Sequence, residues 1–355
     1  MLLDGRLPHV LAPLAGGPST PELAAAVSGA GGLGFLAAGY LTAAALDERI
    51  AATRRLTAEP FGVNVFVPQP AGSPTAIAAY AARLTAEARA AGTELGAPRQ
   101  DDDDWAAKLD LLARAGLPVV SFTFGLPDSA AVNRLHEAGT EVWVTVGSVE
   151  EARAAAAVGA DALVVQGSEA GGHRGGTGDD PDEAVGLLAL LQLVDAAVPL
   201  PLIAAGGIMT GAAVAAALTL GARAAALGTA FLACPEAGTT PVHRRALEGD
   251  GPTALTRAFT GRTARGLRNR FLREYTAAAP SAYPEVHHLT APLRAAGRAA
   301  DDPDLVNLWA GQAYPLLRPM PAAELVRVLA AEAVEALEAV RSDPLRAAGG
   351  RSATG

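Results

Sequence analysis

One cysteine in 355 residues, Cys234, excludes an internal disulfide framework and a zinc site built on cysteine pairs. Basic charge is also in short supply. With 28 Lys and Arg against 37 Asp and Glu, the net charge is −9, unsuited to holding nucleic-acid phosphates. No apolar run reaches membrane-spanning length, because Gly, Pro or a charge interrupts each candidate. The opening Met1-Leu2-Leu3-Asp4-Gly5-Arg6 lacks the basic-then-apolar order of a signal peptide. No His or carboxylate pair stands at metal-ligand spacing, so no metal is expected. Gly29-Ala30-Gly31-Gly32-Leu33-Gly34 follows a helical segment and precedes a strand, the reverse of the dinucleotide-binding order. The expectation is a cytoplasmic protein acting on small molecules, as a monomer or a small homo-oligomer.

What the chain has in abundance is alanine, within 50% hydrophobic and only 18% charged residues, which favours helices packed closely on strands. Short apolar runs at 9–15, 33–38, 61–67, 119–124, 141–146, 161–166, 201–205 and 224–227 read as strands. Helical segments at 21–30, 42–56, 73–91, 105–115, 129–138, 149–158, 183–197 and 211–220 alternate with them. Eight such units predict an α/β fold, a (β/α)8 TIM-type barrel. Gly139, Gly159 and Gly221, each just past a helix, predict left-handed caps, and Thr20-Pro21 predicts a helix start. Residues 1–234 are expected to form the barrel core, and 235–308 a smaller, mostly helical elaboration or lid on the substrate side. Residues 309–345 should return to the barrel, with an apolar stripe of Leu325, Leu329, Val334 and Leu337, and 346–355 should be a disordered tail. The stretch 92–104, ending in four Asp, predicts a solvated loop.

Chemistry concentrates in Gln166-Gly167-Ser168-Glu169-Ala170-Gly171-Gly172-His173-Arg174-Gly175, at the exit of the sixth strand. Paired glycines let backbone approach a ligand, and His173 after them is placed to act as a base. In a barrel, working residues sit at strand C-terminal ends, and the loops after the seventh and eighth strands favour phosphate. Those ends carry Gly206-Gly207 and Gly228-Thr229, and a helix beginning near Thr210 would add its positive end. Asn64 and Gln166 can offer amides to a planar heterocycle, or equally to core backbone. Ala15 and Gly16 are small enough for a flat ring to lie against them. A phosphate-bearing, ring-containing cofactor follows, and flavin mononucleotide (FMN) fits best. Cys234 reads as a small hydrophobe, His136 as a residue of the outer ring, and His287-His288 as surface or rim. Within an Arg-rich stretch, Arg265 beside Gly266 is the arginine expected to face an anionic substrate.

Together these motifs, with Ala12-Pro13-Leu14-Ala15-Gly16-Gly17-Pro18-Ser19-Thr20-Pro21-Glu22-Leu23-Ala24 and Trp309-Ala310-Gly311-Gln312, make the chain resemble the nitronate monooxygenase family from residue 11 to about 333. The resemblance implies a barrel with a smaller substrate domain, bound FMN, and oxidation of alkyl nitronates or nitroalkanes by O2 to carbonyl compounds and nitrite. By motif position it assigns Asn64, Gln166, Gly171, Gly207, Gly228 and Thr229 to FMN, and His173 to catalysis, and Ala15, Gly16, Gly206 and Gln312 are expected in the same cofactor site. The family pattern often has Met where this chain has Leu14, and Gln where it has Ala226. Flavin reductases that use NAD(P)H, such as enoyl-thioester reductases, share the Glu-Ala-Gly-Gly-His element and are the alternative. A barrel that binds a phosphorylated metabolite without redox chemistry is a third reading.

Overall fold

The computed structural model describes residues 2–342, and the expected tail lies outside them. Eight parallel strands pair in the order β1 (His9–Leu11), β9 (Ala224–Leu227), β8 (Leu202–Ala205), β6 (Ala162–Gln166), β5 (Glu141–Val146), β4 (Val119–Thr123), β3 (Phe61–Phe66), β2 (Gly34–Ala37). A bridge between Val10 and Leu33, with hydrogen bonds of 2.9 Å from Leu11 N to Leu33 O and from Leu33 N to His9 O, joins the first strand to the second. The sheet thereby closes into the expected barrel. The first strand stops at Leu11, short of the expected 15, because Pro13 has no N–H to donate to a ladder.

Around the barrel run α1 (Pro21–Gly29), α2 (Ala43–Leu56), α4 (Trp105–Ala115), α5 (Ser129–Glu137), α6 (Val149–Ala157), α7 (Leu187–Asp195), α8 (Gly211–Thr219) and α12 (Ala322–Ser342). Thr20 caps α1 by accepting from Leu23 N, and Gly139, Gly159 and Gly221 take φ of 77°, 96° and 96° after their helices. Gly34, the first residue of β2, serves packing. A Cβ on Gly34 would stand 2.0 Å from the Ala24 carbonyl oxygen, where helix α1 crosses the strand. Gly34→Ala is therefore expected to lower unfolding free energy by about 3 kcal/mol, the upper range of overpacking, as read from a urea titration. An unchanged midpoint would mean that α1 is not seated there.

The helix α3 (Pro74–Ala90) departs from its expected place in the barrel core. Its Ile77, Tyr80 and Leu84 pack in a second hydrophobic cluster with Phe259, Phe271, Val286, Leu289 and Leu293, and the Tyr80 hydroxyl donates to Ala258 O at 2.7 Å. The residues of α3 and of the elaboration share this core, so the third barrel helix is α4. The elaboration holds α9 (Pro241–Ala246), α10 (Arg270–Tyr275) and α11 (Glu285–Ala299), and also an antiparallel sheet of β10 (Thr253–Thr256) with β11 (Ala264–Leu267). That sheet extends to β7 (Gly172–His173), which ties the elaboration to the glycine-rich run.

Two further expectations change. The core-facing stripe of α12 is Leu325, Val326, Leu329 and Ala333, while Val334 is 54% exposed and Leu337 37%. The helix turns enough after residue 333 that the expected continuation faces outward. The Asp-rich stretch is not simply solvated. Asp103 pairs at 2.7 Å with Lys108, which is wholly buried, and accepts from Tyr40 N at 2.9 Å, while Asp104 accepts from Ala43 N at 3.1 Å. Asp103 thereby faces a buried cation that water cannot reach, and both carboxylates take up backbone donors. No helix among the described residues is long and apolar enough to cross a membrane.

Candidate active site

The C-terminal ends of the strands open into a cavity of about 510 Å3. Ten of the eleven residues expected to work there line it: Ala15, Gly16, Asn64, Gln166, Gly171, His173, Gly206, Gly207, Gly228 and Thr229. The exception is Gln312, whose side chain is exposed while Gly311 and Ala313 face the cavity. Its backbone N–H is committed to Glu169 O at 3.0 Å, which turns the side chain away. Ala226 lines the floor with Ala12 and Ala205, so the small residues leave room where longer side chains would fill it.

One rim of the cavity suits a phosphate. Gly206 and Gly207 have φ of 119° and 68°, conformations that only glycine adopts cheaply, and present their loop to the cavity. Among the described residues the N–H groups of Gly207, Ile208, Gly228 and Thr229 make no hydrogen bond. The Thr229 hydroxyl oxygen accepts from Gly311 N at 3.0 Å, so its own proton remains to donate, and a one-turn helix begins at that residue. The expected contribution of α8 is corrected. Two of its first-turn donors are taken, Ala213 N by Thr210 Oγ1 at 3.2 Å and Gly211 N by the Glu332 carboxylate of α12 at 2.8 Å.

The run after β6 is held at nearly every residue. The Gln166 amide donates to His173 O at 3.1 Å and accepts from Gly175 N at 2.7 Å, so it clasps the two ends of the loop that carries the histidine. Glu169 accepts from Leu187 N at 3.0 Å and caps α7. Gly171 is obligatory, because a Cβ would stand 2.5 Å from Gly311 N. Arg265, expected to face an anionic substrate, instead donates from Nε to Ser168 O at 2.9 Å and braces the loop from behind. Cross-strand pairing with Gly172 sets that direction. The Asn64 amide is oriented by Ser121, donating to its carbonyl at 3.1 Å and its hydroxyl at 3.0 Å.

His173 sits among aromatic rings, with Phe124, Tyr283 and Trp309 at centroid distances of 5.5, 5.9 and 5.4 Å. Burial, and then the positive charges of Arg262 and Arg294, push its pKa down to about 3. The ring is neutral at neutral pH. Above it, sequence reasoning missed a second set of cavity residues. Tyr40 and His287 stack at 4.2 Å, and Arg294 and Arg298 face the same space. His287 is not a surface residue, and burial drives its pKa down to about 2. Arg294 is buried, anchored by donating from Nε to Thr290 Oγ1 at 3.2 Å and from a terminal nitrogen to His287 O at 2.7 Å, and forms no carboxylate ion pair among the described residues. Burial lowers its pKa to about 10, so it stays cationic. The one sequence signal for this wall was the spacing of His287, Ala291, Arg294 and Arg298 along a single face of α11.

Tyr40, three residues past β2, and Phe124, directly after β4, take φ of 68° and 74°. Each such conformation costs a bulky residue about 1–3 kcal/mol, and both rings face the cavity, where surrounding contacts hold them. The Arg262 guanidinium lies 4.5 Å from the Phe124 ring centroid and donates to Gln69 Oε1 at 3.0 Å. Cys234 is buried with its pKa pushed up to about 12 by burial, which removes it as a nucleophile. His136 pairs with Asp161 at 2.9 Å on the outer ring, as expected.

Comparisons agree with this geometry. The family model for nitronate monooxygenase matches residues 5–332. A nitronate monooxygenase from Paraburkholderia phytofirmans is 40% identical over 348 residues, covering 94% of each chain. A solved nitroalkane oxidase from Streptomyces ansochromogenes superposes with a TM-score of 0.93 at 53% identity, covering 96% of this chain and 99% of that one. FabK from Thermotoga maritima gives a TM-score of 0.76 at 28% identity, covering 96% of each. A match across nearly the whole chain, on a barrel whose motif residues converge on one cavity, places it: this chain belongs to the nitronate monooxygenase family.

Proposed function

We propose that the protein is an FMN-dependent enzyme that oxidises alkyl nitronates and nitroalkanes with O2, giving carbonyl compounds and nitrite. The observation that carries this reading is one cavity holding a neutral imidazole, a buried unpaired guanidinium and a glycine rim of free N–H donors. Likeness to the Streptomyces nitroalkane oxidase over nearly the whole chain supports the same chemistry. In this reading it works in the cytoplasm on small molecules, as a monomer or a small homo-oligomer.

The residues present fit the cofactor. The rim of Gly206, Gly207, Gly228 and Thr229 would hold its phosphate, where a Cβ on Gly207 would stand 3.1 Å from the Glu169 side chain. Ala15, Gly16, Asn64, Gln166 and Gly171 would border its ring, with Ala226 leaving added space beneath. Gln312 would act only through its backbone, as a tie to Glu169. When bound, FMN supplies a two-electron acceptor that O2 reoxidises. His173, neutral, takes the α-proton of a nitroalkane, and Arg294 holds the oxygens on which negative charge develops. Arg294 thus takes the part that the sequence had suggested for Arg265. The rings of Phe124, Tyr283 and Trp309 packed around His173 lower the local dielectric, which strengthens both effects.

The direct test is aerobic turnover of a nitronate, following O2 uptake and nitrite release with and without NADH. The Glu-Ala-Gly-Gly-His element keeps an NAD(P)H-dependent flavin reductase in view, and rapid anaerobic bleaching of the flavin by NADH would favour it. The phosphate site has its own test. Gly228 has φ of −108°, open to any residue, and a Cβ there meets only Leu14 at 3.1 Å and Ala12 at 3.5 Å. Gly228→Asp should therefore fold, yet place a carboxylate against the phosphate and yield mostly colourless protein. Normal flavin absorbance in that variant would put the phosphate elsewhere.

A further inference from the structure

The His173 ring can carry its proton on either nitrogen, and only one arrangement leaves a base facing the cavity. Nε2 lies 2.9 Å from Thr260 Oγ1, and that hydroxyl lies 3.2 Å from Arg262 O. Thr260 is buried and has one proton to give. The carbonyl of Arg262, a buried residue, has no other donor among the described residues. If Thr260 donates there, its oxygen accepts from His173 Nε2–H, and all three groups are satisfied. Were Thr260 to donate to Nε2 instead, the Arg262 carbonyl would lose its donor, which is costly inside a protein. Nδ1, which makes no hydrogen bond among the described residues, then carries the lone pair in the cavity that His173 lines.

We infer that Thr260 is a positioning residue that fixes His173 with its proton on Nε2, so that Nδ1 is the atom that receives the substrate proton. The inference rests on the proposed role of His173 and deepens it. In the step, the α C–H bond breaks and its electron pair moves into the nitro group. The proton goes to Nδ1, and a neutral pair becomes imidazolium and nitronate. Thr260 serves both states, because Nε2 keeps its proton and the hydroxyl remains its acceptor. Gln166 restrains the same residue from the backbone side, through His173 O at 3.1 Å.

The test uses flavin-loaded protein and three versions of residue 260: the native Thr, Thr260→Ser and Thr260→Val. With neutral nitroalkane, Thr260→Val should lose about tenfold or more in kcat with KM little changed, whereas preformed nitronate should be turned over within about twofold of wild type. Thr260→Ser should restore the nitroalkane rate. Imidazole 15N chemical shifts, independent of activity, should show an unprotonated Nδ1 in the native enzyme and a mixture of tautomers in Thr260→Val. Protonated Nδ1 in the native enzyme overturns the inference, as does an equal loss on both substrates in Thr260→Val or a failure of Ser to rescue. The expected shifts in an enzyme that turns over neither substrate would uphold the tautomer assignment and overturn the proposed function instead.

Discussion

His173→Ala is expected to keep its flavin and to turn over neutral nitroalkane about 10²-fold more slowly, the scale of a lost general base. Preformed nitronate should suffer far less, since its proton is already gone. The asymmetry follows from the state of the ring. With its pKa pushed down to about 3 by burial and by Arg262 and Arg294, His173 does not act as a standing cation toward the nitronate. The same charge that weakens the free base stabilises the anion formed beside it, so Arg294 returns in the transition state what it takes from the ground state. The nitroalkane rate should also show no acid limb near 6.5, the ordinary histidine value, and stay level down to about pH 5. Steady-state kinetics on both substrates over pH 5 to 8 decides the matter. An equal loss on both in His173→Ala would leave the residue a purely electrostatic or structural part.

The second large effect concerns stability. Burial lowers four histidines: His9 and His243 to about 4, His173 to about 3 and His287 to about 2. In the unfolded chain each takes a proton near pH 6.5, but the folded protein holds them neutral until the pH is far lower. Their contribution is therefore fully present above about pH 6.5 and is lost as pH falls toward their folded values. Asp103, raised to about 6 by burial, binds its proton more tightly when folded and offsets one of the four between about pH 6 and 4. Each remaining proton is worth about 1.4 kcal/mol per pH unit, so stability should fall by up to about 4 kcal/mol per unit in that window. Because stabilities near 5–15 kcal/mol are usual, this alone would unfold the protein between about pH 5 and 4. Urea midpoints across pH 4.5 to 8 test it, with a level plateau expected above pH 7. Replacing His9, whose ring nitrogens have no partner among the described residues, by Leu should reduce the slope by about one proton. A flat profile below pH 6.5 would mean that the histidines are not held neutral.

What could be read along the chain was whatever short-range physics dictates. Alternating apolar runs and Ala-rich helices announced the barrel, and helix starts and stops at Thr20-Pro21, Gly139, Gly159 and Gly221 came out as expected, because a cap depends on a few adjacent residues. The glycine positions were legible for the same reason. Gly171, Gly206 and Gly207 stand where backbone must come close or turn left-handed, and no other residue meets that demand cheaply. The identity of side chains that reach the cavity from afar was not legible. Nothing local separates Arg265 from Arg294, yet the β11–β7 register turns the first onto Ser168, while the helical face of α11 turns the second inward. The same holds for His287 and Tyr40, which come together from residues far apart in sequence, and for α3, whose apolar stripe fits either core. Gln312 and Gly311 differ by one position, but the hydrogen bond to Glu169 decides which of them faces the cavity. Local sequence determined the barrel, the glycine rim and the place of His173. Tertiary packing decided the charge state of that histidine and the arginine above it, because burial and register are properties of the assembled chain.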